Sequence, residues 1–416
     1  MSAKRTAIFK HGPGRQHGAA LLVMLVILVI GAAAVLITSL STTALKNARQ
    51  KTTSDALAQA KDALIGRAVS DSNMPGSLPC PDLVTNNPGP TGVINVPDDG
   101  IADSLTGNDC PSYIGRLPWK TLGLPDLRDG SGEELRYALS PAFRDDNSAQ
   151  PLNSNTKGTL LVYNADGVSL QTQAGYSAVA VIFSPGSPIG TQTRSTVAQQ
   201  NSAANYLDIA VNWDNSVAGG PFIAVDQSAT FNDQLLYITT KDLIPLVEQR
   251  VAGVVKQALT DYYAANGYYP WADSVAQSTD YDANYGLNRG WLPDSAASSY
   301  SYYSTPNWVA GSPPQWFFDN QWYTLIYYSV AKNSSAYVYS SYCYSCSSSS
   351  TLSLDGVYGV HALFFMPGTP IGTLTRLPTS LLSDYLEDSQ NNDDANDLYV
   401  TPASQARDRD RLYLLP

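Results

Sequence analysis

The chain begins with two hydrophobic patterns of different kind placed end to end. From Ala19 to Leu40, AALLVMLVILVIGAAAVLITSL, apolar and small residues follow one another without a charge. About 20 such residues in helical form span a bilayer core, so this segment predicts a membrane-crossing helix. Beyond it the pattern becomes periodic. Leu57, Ala60, Leu64 and Ala68 recur at three- and four-residue steps, while Lys51, Asp55, Gln59 and Asp62 fall opposite, which predicts an amphipathic helix continuing the first. Lys61 borders the stripe and is expected to snorkel outward. A second helical pattern runs from about Pro245 to Ala265, with Val247, Val251, Val254, Ala258 and Tyr262 on one face. Pro245 suits its first turn and Asn266-Gly267 supplies left-handed residues to end it.

Strand-like runs follow in two matched series. Residues 183–194 read FSPGSPIGTQTR and residues 365–376 read FMPGTPIGTLTR, differing only at Ser184/Met366, Ser187/Thr369 and Gln192/Leu374. Each copy leaves an apolar run through Pro-Gly and Pro-Ile-Gly turn signals, so each predicts a strand entering a shaped loop. Weaker echoes flank them. Asn205-Tyr206-Leu207-Asp208 is matched by Asp384-Tyr385-Leu386-Glu387, and Asp233 with its following strand by Asp410. Upstream, Leu135-Arg136-Tyr137 is matched by Leu325-Ile326-Tyr327, and Leu78-Pro79 by Tyr269-Pro270. The order of helix, Pro turn, strand, strand-loop and strand is kept, which predicts an internal duplication.

Composition narrows the function classes. The 416 residues allow two or three domains, and 25 Lys+Arg against 36 Asp+Glu leave a net charge of -11, which repels phosphate backbones and argues against nucleic acid as a partner. The histidines are His11, His17 and His361. Only the last lies in a folded region, where a core histidine is the default reading, which argues against a His-based triad or multi-His metal centre. Lys4, Arg5, Lys10 and Arg15 precede the uncharged run, and the positive-inside rule then predicts a cytoplasmic amino terminus and an external body. The run is longer than the 7–15 apolar residues of a signal peptide.

The junction Arg15-Gln16-His17-Gly18, followed by Ala19-Ala20-Leu21-Leu22-Val23, resembles the type IV prepilin class 3 signal. That resemblance implies cleavage after Gly18 by a prepilin peptidase and methylation of Ala19. Most members carry Glu at the fifth mature position, where this chain has Val23. The largest minor pseudopilin of type II secretion systems, a tip subunit, also lacks it. The step from Ala258 through Asn266-Gly267 to Tyr269-Pro270 resembles the end of the stem helix in major pseudopilins. Residues 75–82, 110–119 and 122–130 are similar to a group of proteobacterial prepilin-like proteins without an established activity.

Four cysteines face an oxidising space under this reading. Cys80 and Cys110 are expected to form a structural disulfide. Cys343-Tyr-Ser-Cys346 has redox or half-zinc spacing, but no second pair completes a metal site, so a local disulfide is preferred over redox catalysis. Two acidic clusters, Asp98, Asp99 and Asp103, and Asp393, Asp394 and Asp397, offer oxygens for calcium, as some pseudopilin heads do. Neither completes an EF-hand, and a solvated acidic turn is the other reading. The aromatic stretch from Tyr300 to Tyr344, with Trp308, Trp316 and Trp322, reads either as a glycan-contacting surface or as the filling of strands.

The expected fold class is α+β: a long N-terminal transmembrane/stem helix followed by two tandem pilin-like heads, each a helix packed on an antiparallel sheet. The expected boundaries are a leader at 1–18, helix and stem at 19–70, a first head at 71–242 and a second at 243–416. The expected function is that of a non-enzymatic, low-copy minor pilin or pseudopilin near a filament tip, with an adhesion or assembly-priming role. Its expected location is the inner membrane, single-pass, with heads periplasmic or on an extracellular filament. Expected partners are prepilin peptidase, other pilins through the N-terminal helix, and an inner-membrane assembly platform; calcium is the only cofactor raised. The other reading is a single-pass, membrane-anchored ligand-binding protein.

Overall fold

The computed structural model describes residues 17–83, 99–145, 150–172, 176–272, 288–293, 313–332, 351–371, 376, 381–393, 396–403 and 409–416. Within helix α1, side chains are described at 24, 25, 28 and 29 and from 43 onward. The chain divides into two compact units, Met1–Thr52 and Thr53–Pro416.

Helix α1 runs His17–Ser70. In its second-unit portion Leu57 is 4% exposed and Ala60, Leu64 and Ala68 are fully buried, so the three- and four-residue rhythm is the buried face. Lys61 reaches outward to donate from Nζ to the Tyr237 carbonyl at 2.9 Å, and lies 3.6 Å from Asp242. Two short helices, α2 (Val197–Asn201) and α4 (Gln315–Asp319), flank the long helix α3 (Thr240–Asn266). Thr239 and Asp242 form a capping box at the start of α3, satisfying exposed N–H groups there. Gly267 closes it at φ 78°, where a side chain would be strained.

The two main sheets are β1 (Ile114–Arg116), β2 (Arg136–Leu139), β3 (Ala178–Ser184) and β4 (Gln234–Thr239), and β5 (Arg289–Trp291), β6 (Tyr327–Val330), β7 (Ala362–Met366) and β8 (Arg411–Leu415). Both are antiparallel throughout, in the orders β1-β2-β3-β4 and β5-β6-β7-β8. The likeness extends to single hydrogen bonds. Tyr137 Oη donates to the Pro79 carbonyl at 3.3 Å, and Tyr328 Oη to the Pro270 carbonyl at 3.0 Å. Tyr137 pairs with Gly115 and Ile182, and Tyr328 with Gly290 and Phe364. Tyr328, not Tyr327, is therefore the counterpart of Tyr137. The alignment of Tyr137 with Tyr327 was one residue out, a slip that exchanges the two faces of a strand.

The first sheet is covered on both sides. Tyr137, Leu139, Ala180, Ile182 and Ile238 point into a large core shared with α1 and α3, while Ala138, Val181 and Phe183 point into a smaller core with Leu160, Val162 and Phe222. The large core continues without a break through Val247, Val251 and Val255 of α3 to Tyr328, Phe364 and Phe365 of the second sheet.

Two expectations are corrected. No helix among the described residues is long and apolar enough to cross a membrane. A transmembrane helix, and with it single-pass inner-membrane anchoring with a cytoplasmic N terminus and periplasmic or extracellular heads, is not supported. The described α1 side chains from 43 to 52 include Lys46, Arg49 and Lys51 and are exposed, a polar surface unsuited to lipid. The expected α+β fold of a stem carrying two tandem helix-on-sheet heads is likewise replaced. The described residues form a sheet-rich structure of fifteen strands in five sheets with four α-helices, and the apolar faces of both main sheets join in one core. The pattern of a helix facing a sheet was legible, but its partner could be either sheet, and here α3 contacts both β4 and β8.

Candidate functional site

The second unit contains a cleft of about 790 Å³ built from three turns. The first follows α1. Asp71 is buried, and its Oδ1 accepts from the N–H groups of Asn73 (2.8 Å) and Met74 (2.7 Å), while Arg67 pairs with its other oxygen. Burial opposes the charge, but these hydrogen bonds and the guanidinium hold its carboxyl below the usual range. The tight turn leaves Ser72 and Asn73 exposed on the cleft wall.

The second turn carries Gln150 and Pro151, and the third is α4 with Asn320 and Gln321 behind it. Asn320 ties them together. Its Oδ1 accepts from Leu152 N–H at 2.8 Å, its Nδ2 donates to the Trp316 carbonyl at 2.8 Å, and its own carbonyl accepts from Asn153 Nδ2 at 2.8 Å. The floor is Trp316, 6% exposed, backed by the Arg250 guanidinium 5.2 Å from its ring centre. That guanidinium also donates to the carbonyls of Val69 (2.5 Å) and Asp71 (2.6 Å), so α3 fastens the end of α1 beneath the cleft.

The predicted site residues lie elsewhere. Gly18 and Ala19 are in the first turn of α1, where side chains are outside the described residues. Cys80 and Cys110 form a disulfide with Cα atoms 5.5 Å apart; Cys343 and Cys346 lie outside the described residues. Of the first acidic cluster, Asp98 is also outside. Asp99 turns back to accept from Ile101 N–H at 2.8 Å, and Asp103 is buried. Both face Asp82, whose carboxylate accepts from Gly100 N–H at 3.0 Å. Burial, with the charges of Asp99 and Asp103 added, pushes the Asp82 carboxyl up to about 8.

In the second cluster Asp394 lies outside the described residues, and Asp393 accepts from Asn396. Asp397 is buried and committed to Arg289 Nη1 at 2.7 Å and Asn288 Nδ2 at 2.9 Å. Among the described residues no group of three or more His, Cys, Asp or Glu is gathered to hold a metal ion. His361 stands between the Val357–Val360 strand and β7 and is exposed, not in the core. Trp322 is fully buried and Trp316 nearly so, which favours packing over surface contact for the described part of the aromatic stretch.

Buried acids outside the predicted sets do most to hold the loops. Asp129 Oδ2 accepts from Ser184 Oγ (2.8 Å) and Gly186 N–H (2.9 Å). Glu248, on α3 and wholly buried, accepts from Ser154 Oγ, and its charge is also favoured by the nearby Gly368 N–H. Burial pushes its carboxyl up to about 7 against the favourable fields of Arg376 and Arg411. Gly186 and Gly368 are the same position of the repeated dodecapeptide, so different acids lie against the one loop in the two halves. The sequence offered one signal for Glu248: a charged residue directly after Val247, inside a helix with apolar residues on more than one face. Comparison with family models, characterised proteins and solved structures finds no match to this chain.

Proposed function

We infer that this chain is a structural, non-enzymatic subunit of the minor pilin or pseudopilin kind, present in low copy at or near the tip of a type IV pilus or type II secretion-type filament. The observation that carries the reading is the junction Gly18–Ala19 opening an uncharged run at the start of α1. Met24, Leu25, Leu28 and Val29 on that helix are 77%, 60%, 70% and 57% exposed. Their spacing places them as neighbours on the helix surface, an apolar patch that other subunits would cover. Val23 in place of the usual Glu fits a subunit lacking a neighbour on one side, and the bulk of the Thr53–Pro416 unit fits sparse placement. Prepilin peptidase, other pilins and the filament assembly platform are the partners this reading names.

Recovery of the chain with sheared filaments tests it. Wild-type protein is expected among the filament subunits, and Gly18→Val is expected to keep its leader and be absent from them. Equal recovery of both forms, or of neither, would overturn the reading.

A further inference from the structure

The cleft beside α4 has a lining whose chemistry selects a ligand class, and this selection is independent of the filament reading. No Lys, Arg or His lines it, and the nearest guanidinium, Arg250, is spent on two carbonyls and the Trp316 ring. An anion would therefore meet no cation, in a chain of net charge -11. The walls are turns and a helix end, so an extended peptide finds no strand edge to extend. What the cleft does offer is amides and a hydroxyl: the side chains of Ser72, Asn73, Gln150 and Gln321 line it without an internal hydrogen bond among the described residues. Each amide presents a donor and an acceptor in one plane, and Asp319 adds a carboxylate at the rim.

Gln321 carries the argument furthest. It is held at φ 55° and ψ 33° between α4 and the helical turn Trp322–Thr324, in the left-handed region where glycine would sit at less cost. Its backbone is engaged, with N–H donating to Phe318 and the carbonyl accepting from Thr324 Oγ1 at 2.8 Å. Its amide is not, and it is exposed at the rim. A left-handed backbone that holds an uncommitted amide at the rim of a cleft is the arrangement of a ligand clamp.

The geometry points to a binding site for a neutral oligosaccharide, with hydroxyl groups read by the amides of Asn73, Gln150 and Gln321. A cleft of about 790 Å³ falls within the roughly 300–1,000 Å³ of small-molecule sites.

The test is an array of neutral oligosaccharides, among them maltotriose, cellotriose, mannotriose and triacetylchitotriose, probed with the full chain, and calorimetric titration of any hit. Saturable binding of at least one is expected. Gln321→Gly should weaken it about tenfold, the loss of one or two hydrogen bonds, while leaving the melting temperature unchanged or raised. Asp319→Asn, on the exposed rim, should also keep the fold and weaken binding. Absence of saturable binding across the array would overturn the proposal, as would binding untouched by Gln321→Gly. Preferential capture of sialylated sugars, or of a neutral Gly/Ser/Pro decapeptide that the sugars do not displace, would overturn it as well.

Discussion

The two main sheets use the same strand order and the same tyrosine-to-proline hydrogen bond, yet they lock the loop after the third strand differently. In the first half Arg194 donates to the carbonyls of Gly186 (2.9 Å) and Asn205 (2.8 Å), and its guanidinium lies 4.2 Å from the Tyr206 ring centre. In the second half Arg376 donates to Gly368 (2.7 Å), Asp384 (2.8 Å) and Pro367 (2.8 Å), 5.4 Å from the Tyr385 ring centre. The arginine clamp is common to both. The acid beneath it is not: Asp129 comes from a neighbouring turn of the same half, Glu248 from α3. Once α3 supplies the second acid, the second loop depends on a helix whose Arg250 also holds the end of α1, and the two halves share one core. The two halves share their sheet geometry, while the groups beside the buried polar atoms come from whatever packs nearby.

Removing the clamps gives the largest contrast. Arg376 is 5% exposed and faces Glu248 and Asp410, so Arg376→Ala strands three carbonyls and two acids. The expected loss is about 3–5 kcal/mol. Arg194 sits more openly and pairs with Glu133 at 2.9 Å, and Arg194→Ala should cost about 2 kcal/mol. Urea unfolding of the two variants measures the difference, and equal losses would show the clamps to be equivalent.

The disulfide belongs to the first half alone among the described residues. Cys80→Ser with Cys110→Ser should lower stability by about 3 kcal/mol, read as a fall in melting temperature that reducing agent reproduces in the wild type.

Acid chemistry gives the next contrast. Glu248 and Asp410 are raised to about 7 and Asp82 to about 8, in each case chiefly by burial. The unfolded chain loses these protons near pH 4, before the folded one does. The stability these three groups contribute is therefore full below about pH 4 and declines as pH rises toward 7 to 8, by up to about 1.4 kcal/mol per unit for each group. Glu248→Gln should flatten the part of that decline between pH 4.5 and 7 and leave the variant the more stable form at pH 8. Urea midpoints at pH 5, 6, 7 and 8 report it, and parallel profiles for the two forms would contradict it.

The smallest effect compares two glycines of one loop. A Cβ at Gly190 meets nothing within 4 Å and pays only for φ +57°, so Gly190→Ala should cost about 1 kcal/mol. At Gly186 the same atom would approach Asn232 to 2.8 Å, and Gly186→Ala should cost more.

Much of this was legible in the residues because it is local. The dodecapeptide ends in the clamp arginine, the Tyr-Leu-Asp and Tyr-Leu-Glu echoes mark the rings beneath it, and the α1 stripe gave its buried face. Asp208 and Glu387 in those echoes meet the matched Asp233 and Asp410, which accept from their N–H groups at 2.8 and 2.6 Å. What the sequence hid depends on packing between distant segments. In α3 the buried set includes Ala252, Val255 and Leu259 beside Val247 and Val251, while Val254 is only half-buried. A helix set between two sheets buries more than one stripe, and Glu248 lies in the part that periodicity assigns to solvent. The cleft was equally hidden, because Asn73, Gln150 and Gln321 are ordinary loop residues until Asn320 joins the last two turns and Arg250 fastens the first.

The functional reading depends on processing at Gly18, and the mass of the N-terminal peptide from protein recovered with sheared filaments tests it most directly. A peptide beginning at methylated Ala19 is the predicted result. A peptide retaining the residues before Gly18, or beginning at another position, would contradict the assignment to the prepilin-like class.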